Sequence, residues 1–416
     1  MKVHKFFLSI LMIVFIMGMF VVNLISKDKK FSEAENRVLQ NKPTYSFEKL
    51  KSGKFTKEYE KYITDQFAFR NFWVGVKSSS DKLLGKKDNN GVYLGLNGYL
   101  LEKPAKVDND LLEDNIESIN EFAKRNPKCK VNFLLAPNSV NILKSKLPKY
   151  ATPEDEKKII DDVKENLDPK NVKFVDVYDD LNMHNKEYIY YKTDHHWTTL
   201  GAYYAYKKLG DTLAYKPLEL NDFNIQKVTD SFYGTFYSKG NYREIEPDSI
   251  QIFKPKKELK YKVKYFDDKK DTDTLYEMEN LKKKDKYSVF LGGNHDLVVI
   301  NTYLKDENEN KKQYIVKKNS KRNKKKRNIK KVKNAKKVKY TKAKETKKLL
   351  IIKDSYAHSL VPFLTNHYDE IHMVDLRYFN DNIDEYIKKN NIKNILIMYN
   401  GLSFSREQTV SKLQTP

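Results

Sequence analysis

The chain has 416 residues, enough for one large domain with attachments or two of ordinary size, and a formal net charge of +23. The charge is concentrated: from Lys311 to Lys348 stand 20 Lys and Arg against Glu345 alone, so this stretch holds +19 and the rest of the chain only +4. A specific nucleic-acid surface is therefore not expected of the body, and the lone Cys129, expected as a buried core thiol, excludes an intramolecular disulfide and any multi-cysteine zinc site.

From the N-terminus, Phe6 to Ile25 is a run of 20 residues without a charge, about 30 Å as a helix and so long enough to cross a bilayer. Lys2 and Lys5 precede it and no small-x-small cleavage site follows, which favours an uncleaved signal anchor with the remainder extracytoplasmic, as a single-pass membrane protein. The organisation expected is a tail and anchor over 1–30, a stem over 31–105, and a catalytic domain over 106–416 interrupted by a basic insertion at about 305–348. In the stem, Gly95-Leu96-Asn97-Gly98 reads as a hairpin turn.

A helix is expected at Asp108 to Arg125, a strand at Val131 to Ala136, a helix after Thr152-Pro153 and a strand at Lys173 to Val177. Further on, Ser288 to Leu291 and Lys348 to Lys353 read as strands. Tyr356 to Thr365 reads as a helix, Ile371 to Leu376 as a strand, Asp381 to Lys389 as a helix and Asn394 to Tyr399 as a strand. This alternation is the pattern of an α/β domain, a parallel sheet with helices on both faces. The lysine-rich insertion has no apolar periodicity. It reads either as a solvated loop or as an arm touching anionic polymer or lipid.

The chemistry-bearing residues fall at element ends. In Tyr191-Lys192-Thr193-Asp194-His195-His196-Trp197, residues i and i+2 of an extended or turning chain share a side, which pairs Asp194 with His196 and turns His195 away. A carboxylate on one ring nitrogen fixes the tautomer of a general base. The competing reading makes the cluster a cap for the helix that follows. Ser355 stands where a buried strand gives way to a helix, a geometry that exposes a nucleophile and offers its backbone N–H to an oxyanion. Arg377, Asn400 and Asn294 also follow strands at that edge and are candidate oxyanion or substrate contacts. The alternatives are a salt bridge for Arg377 and turns for Asn400 and for Gly292 to Asp296. Trp197 is a candidate for stacking on a sugar or for the core. No metal site and no cofactor are expected, because no ligands stand at helical i, i+4 spacing.

These residues resemble the bacterial DHHW-motif proteins, relatives of the alginate O-acetylation proteins in the SGNH hydrolase superfamily. The motif is Asp194-His195-His196-Trp197, and the likeness extends to Glu35-Asn36-Arg37, Asp65 to Arg70, Phe290 to Asn294 and Lys353-Asp354-Ser355-Tyr356. The resemblance implies an SGNH-like (flavodoxin-like) domain with Asp and His before Ser in the chain. It implies catalysis by Asp194, His196 and Ser355, acetyl transfer to a cell-envelope polysaccharide, and a multi-pass membrane acyltransferase as donor. Lys353 departs from the Gly found before Asp-Ser in relatives, and no Gly-x-Asn-Asp block follows Ser355. The same residues suit a carbohydrate O-acetyl esterase, and a non-catalytic envelope assembly protein working through its basic arm is the reading from a different class.

Overall fold

The computed structural model describes residues 2–32, 37–86, 88–104, 106–149, 151–242, 244–305, 340–341 and 346–414. Glu35-Asn36 and most of the lysine-rich insertion lie outside them.

Among the described residues the main sheet has nine strands, eight of them in one continuous path: β1 (Lys130–Ala136), β2 (Val172–Val175), β3 (Leu259–Tyr265), β4 (Lys270–Thr272), β5 (Leu297–Lys305), β6 (Lys348–Lys353), β7 (Glu370–Val374) and β8 (Asn394–Asn400). Their spatial order is β4-β3-β5-β7-β6-β8-β1-β2, and Tyr340–Thr341 pairs with the end of β5. The expected parallel sheet covers β7, β6, β8, β1 and β2. Beyond β7 the expectation needs correction, since β5, β3 and β4 join antiparallel and make the sheet mixed.

Side-chain patterning gives the reason. In β6, Leu349 to Ile352 are fully buried, the mark of a parallel strand covered on both faces. Each such aliphatic side chain contributes about 1.5–3 kcal/mol on leaving water. In β3, Val263 and Tyr265 are buried while Lys260, Lys262 and Lys264 are exposed, the alternation of an antiparallel strand wetted on one face.

Four helices frame the anchor and the site: α1 (Lys2–Ile25), α2 (Asn109–Arg125), α3 (Thr199–Leu213) and α4 (Ala357–Leu364). Asp108 caps α2 by accepting from Leu111 N–H. Within α1, Phe6–Ile25 is long and apolar enough to span a membrane. The expected hairpin forms between Val92–Leu94 and Leu100–Glu102, with the left-handed Asn97 at its turn. Two expectations fail locally. Ser288 to Leu291 is not a strand, because Lys286–Val289 winds into a 3₁₀ turn. Cys129 is half-buried rather than interior, its Sγ 3.4 Å from the Ile392 carbonyl.

Candidate active site

The carboxyl ends of β1, β6 and β8 converge, and the register places Ala136 beside Asn400. Directly after β6, Asp354 bends the chain: its carboxylate accepts from Tyr356 N–H at 2.9 Å and Asn400 N–H at 2.7 Å. A carboxylate holding the N–H two residues on is an Asx turn. It tips Ser355 out of the sheet just before α4, half-buried at the surface while its neighbours are interior.

The Asp194 segment turns by the same device. Its Oδ1 accepts from His196 N–H at 3.1 Å and faces His196 Nδ1 at 2.6 Å. The i, i+2 pairing thus comes from an Asx turn rather than from strand alternation. Asp194 Oδ2 accepts from Thr235 N–H at 2.8 Å. On the other side of the ring, His196 Nε2 lies 2.8 Å from Ser355 Oγ. One hydrogen-bonded line therefore runs from Asp194 through His196 to Ser355. Asp194 does not cap α3; Thr198 does, accepting from Gly201 N–H at 3.3 Å.

Burial pushes the Asp194 carboxyl up, but His195, His196 and the Thr235 N–H outweigh it and hold the acid well below the usual carboxylate range. It is an anion at any neutral pH. His195 packs its ring against His196, but its Nδ1 lies 3.7 Å from Asp194 Oδ1 and has no hydrogen bond among the described residues. Burial and the neighbouring His196 push its pKa down. Asp194, His195 and His196 are close enough to hold an ion, yet both His196 ring nitrogens already face Asp194 and Ser355.

The remaining candidates have other partners. Trp197 is fully buried, and its Nε1 donates to the Tyr356 carbonyl at 3.1 Å and to Ser359 Oγ at 3.0 Å. It cannot stack on a sugar; it fixes the turn that carries Ser355. Asn400 is also buried, donating to the Ala136 carbonyl at 3.1 Å while its Oδ1 accepts from Asn138 and from Ser403 N–H. It caps the next helical turn. Arg377 binds Asp375 through Nε at 2.8 Å and Nη2 at 2.6 Å, and reaches Asn294 Oδ1 at 3.5 Å. Ser355 N–H has no acceptor among the described residues, which leaves it available to an oxyanion.

Several supports gave no sign in the sequence. Tyr287, from the 3₁₀ turn, stacks on the His196 imidazole with centroids 3.7 Å apart and planes 10° from parallel. Asp248, at the start of a strand remote in sequence, accepts from Lys192 N–H at 2.8 Å and Thr193 N–H at 2.7 Å and so anchors the loop that carries His196. Gly234 passes so near that an added Cβ would lie 2.2 Å from Asp194 Cβ. Lys353, the departure from the family pattern, is buried against Asp375 Oδ2 at 3.0 Å and His358 Nε2 at 2.9 Å. Burial pushes its pKa down against the pull of Asp375.

Residues 107–306 match the DHHW protein family, so the resemblance carried by the motif holds. In three dimensions the chain is similar to a DHHW family protein from Eubacterium siraeum, at 24% identity over 78% of this chain and 95% of that one, with TM-score 0.58. It is also similar to Bacillus cereus PatB1, at 20% identity over 76% and 97% of the two chains, TM-score 0.56. A structure of PatB1 with a sulfonyl adduct gives 19%, 76%, 98% and 0.55. At these identities the likeness speaks to the fold. No curated protein matches the chain.

Proposed function

For a chain whose residues 107–306 match the DHHW family, we propose a serine-dependent O-acyltransferase, anchored in the cell membrane by Phe6–Ile25 with its catalytic domain extracytoplasmic. The observation that carries this reading is the line Asp194 Oδ1 to His196 Nδ1 at 2.6 Å and His196 Nε2 to Ser355 Oγ at 2.8 Å.

His196 Nε2 takes the hydroxyl proton as Ser355 Oγ bonds to the acyl carbonyl carbon. The resulting oxyanion lies against Ser355 N–H, and Asp194 balances the imidazolium. Collapse of the intermediate breaks the bond to the leaving alcohol, which takes the proton from His196, and leaves an acyl ester on Ser355. A hydroxyl of a cell-envelope polysaccharide then gives its proton to His196 as it attacks that ester, and the bond from Ser355 Oγ to the acyl carbon breaks as Oγ takes the proton back from His196. The acyl group is acetyl, and a multi-pass membrane acyltransferase supplies it. With water in place of the sugar hydroxyl the same steps make an esterase.

A sulfonyl fluoride tests the nucleophile, a probe suggested by the adduct in the PatB1 structure. Intact mass should show one sulfonyl group on the wild type, none on Ser355→Ala, and acetate release from a chromogenic ester should be lost in step. Labelling of Ser355→Ala at the wild-type rate, or ester cleavage unaffected by that change, overturns the reading. Acetate appearing on added polysaccharide rather than in solution separates transferase from esterase.

A further inference from the structure

His196 is constrained in its own plane by Asp194 and Ser355, and above that plane by Tyr287. The phenol ring lies 3.7 Å from the imidazole and within 10° of parallel. Its hydroxyl donates to Ser359 Oγ at 3.0 Å and approaches the Ser355 carbonyl at 3.3 Å. One buried side chain thus touches both the base and the backbone of the nucleophile turn. Its own turn is held by Glu277 N–H on the Val289 carbonyl and by Asn280 Nδ2 on the Ser288 carbonyl. Tyr191 adds an edge-on contact at 6.3 Å.

We infer that Tyr287 is a positioning residue for acyl transfer, holding the imidazole plane so that Nε2 points at Ser355 Oγ and presenting its π face to the imidazolium that forms. A cation over an aromatic face is stabilised by the ring quadrupole, more strongly where water is excluded. The inference rests on the acyl-transfer reading above. The other groups around the imidazole are the Asp194 carboxylate, the Ser355 hydroxyl, His195 at 3.8 Å between ring centroids and the Tyr356 ring at 5.3 Å. Further titratable groups that interact with this cluster are His358, bonded to Lys353, and the carboxylates of Asp354 and Asp285. Tyr287 lies near parallel to the imidazole, whereas His195 stands at 37° and Tyr356 at 49° to it.

The test is the pH profile of kcat and of kcat/KM for chromogenic acetate cleavage by the full chain. Tyr287→Phe keeps the face and loses the hydroxyl; its acid limb should stay in place and kcat fall about threefold. Tyr287→Leu loses the face, so kcat should fall at least tenfold with KM little changed, and the acid limb move about half a pH unit lower. Phenylalanines of increasing fluorination at position 287 drain the quadrupole without changing the fold, and should move the limb downward step by step. A limb that stays fixed across the fluorinated series, or equal losses in Tyr287→Phe and Tyr287→Leu, overturns the inference. A wild type that cleaves no ester sinks the acyl-transfer reading instead.

Discussion

Asp194→Asn removes one charge from the site and turns one acceptor oxygen into an NH2 donor. The asparagine oxygen can still accept from Thr235 N–H, the 2.8 Å bond that ties this loop to its neighbour, while the NH2 takes the place of the oxygen that accepts from His196 N–H. Lost is the anion 2.6 Å from His196 Nδ1. One charge-assisted hydrogen bond is worth about 1.5–3 kcal/mol, or roughly 10- to 150-fold in rate. The neutral amide also lets the imidazole take the other tautomer, with N–H rather than a lone pair facing Ser355 Oγ, and the combined loss in kcat approaches about 10⁴-fold. The assay is acetate release at neutral pH, read against the Ser355→Ala background, with circular dichroism to establish the fold. A folded Asp194→Asn enzyme within tenfold of wild type refutes the argument that the buried charge works through His196.

His195→Ala should keep activity within a few-fold while His196→Ala loses it, since only His196 bridges Asp194 and Ser355; the reverse order in the same assay would move the base to His195. In Gly234→Ala the new Cβ would meet Asp194 Oδ2 at 2.4 Å, displacing the carboxylate, so kcat should fall at least tenfold and stability by about 1–3 kcal/mol; unchanged kinetics would show that the loop gives way instead. Burial raises the Glu156 carboxyl to about 8, against the stabilising Asn138 N–H. A folded value above the unfolded one makes its contribution full below about pH 4.5 and progressively lost as pH rises toward 8, by about 1.4 kcal/mol for each pH unit crossed. Thermal midpoints should therefore fall across that window, and Glu156→Gln should flatten the fall; a mutant curve parallel to wild type refutes this.

The elements with strong local patterning were legible. Helix α2, with its Asp108 cap and apolar stripe, and β6, with its aliphatic run from Leu349 to Ile352, need only their own residues to declare themselves. The antiparallel flank β3–β5 was not legible, because lysine alternation says one face is wet without saying which edge the strand joins. The run from Ser288 to Leu291 has the look of a strand yet forms a turn, since four apolar or small residues fit a buried turn equally well.

For the site, local sequence determined what can be done within a few bonds. The Asx turns at Asp194 and Asp354 are built from neighbouring residues, and so the placement of His196 and Ser355 on turns at element ends was readable. What lies across the site was decided only by tertiary packing. Tyr287 reaches His196 from 91 residues away, Asp248 anchors Thr193 from 55, and Trp197, sugar platform or core by its type alone, became a buried strut of the turn that carries Ser355. A hydrogen bond between neighbours is encoded in spacing. A contact across the sheet edge depends on where every intervening strand is laid, which no short motif specifies.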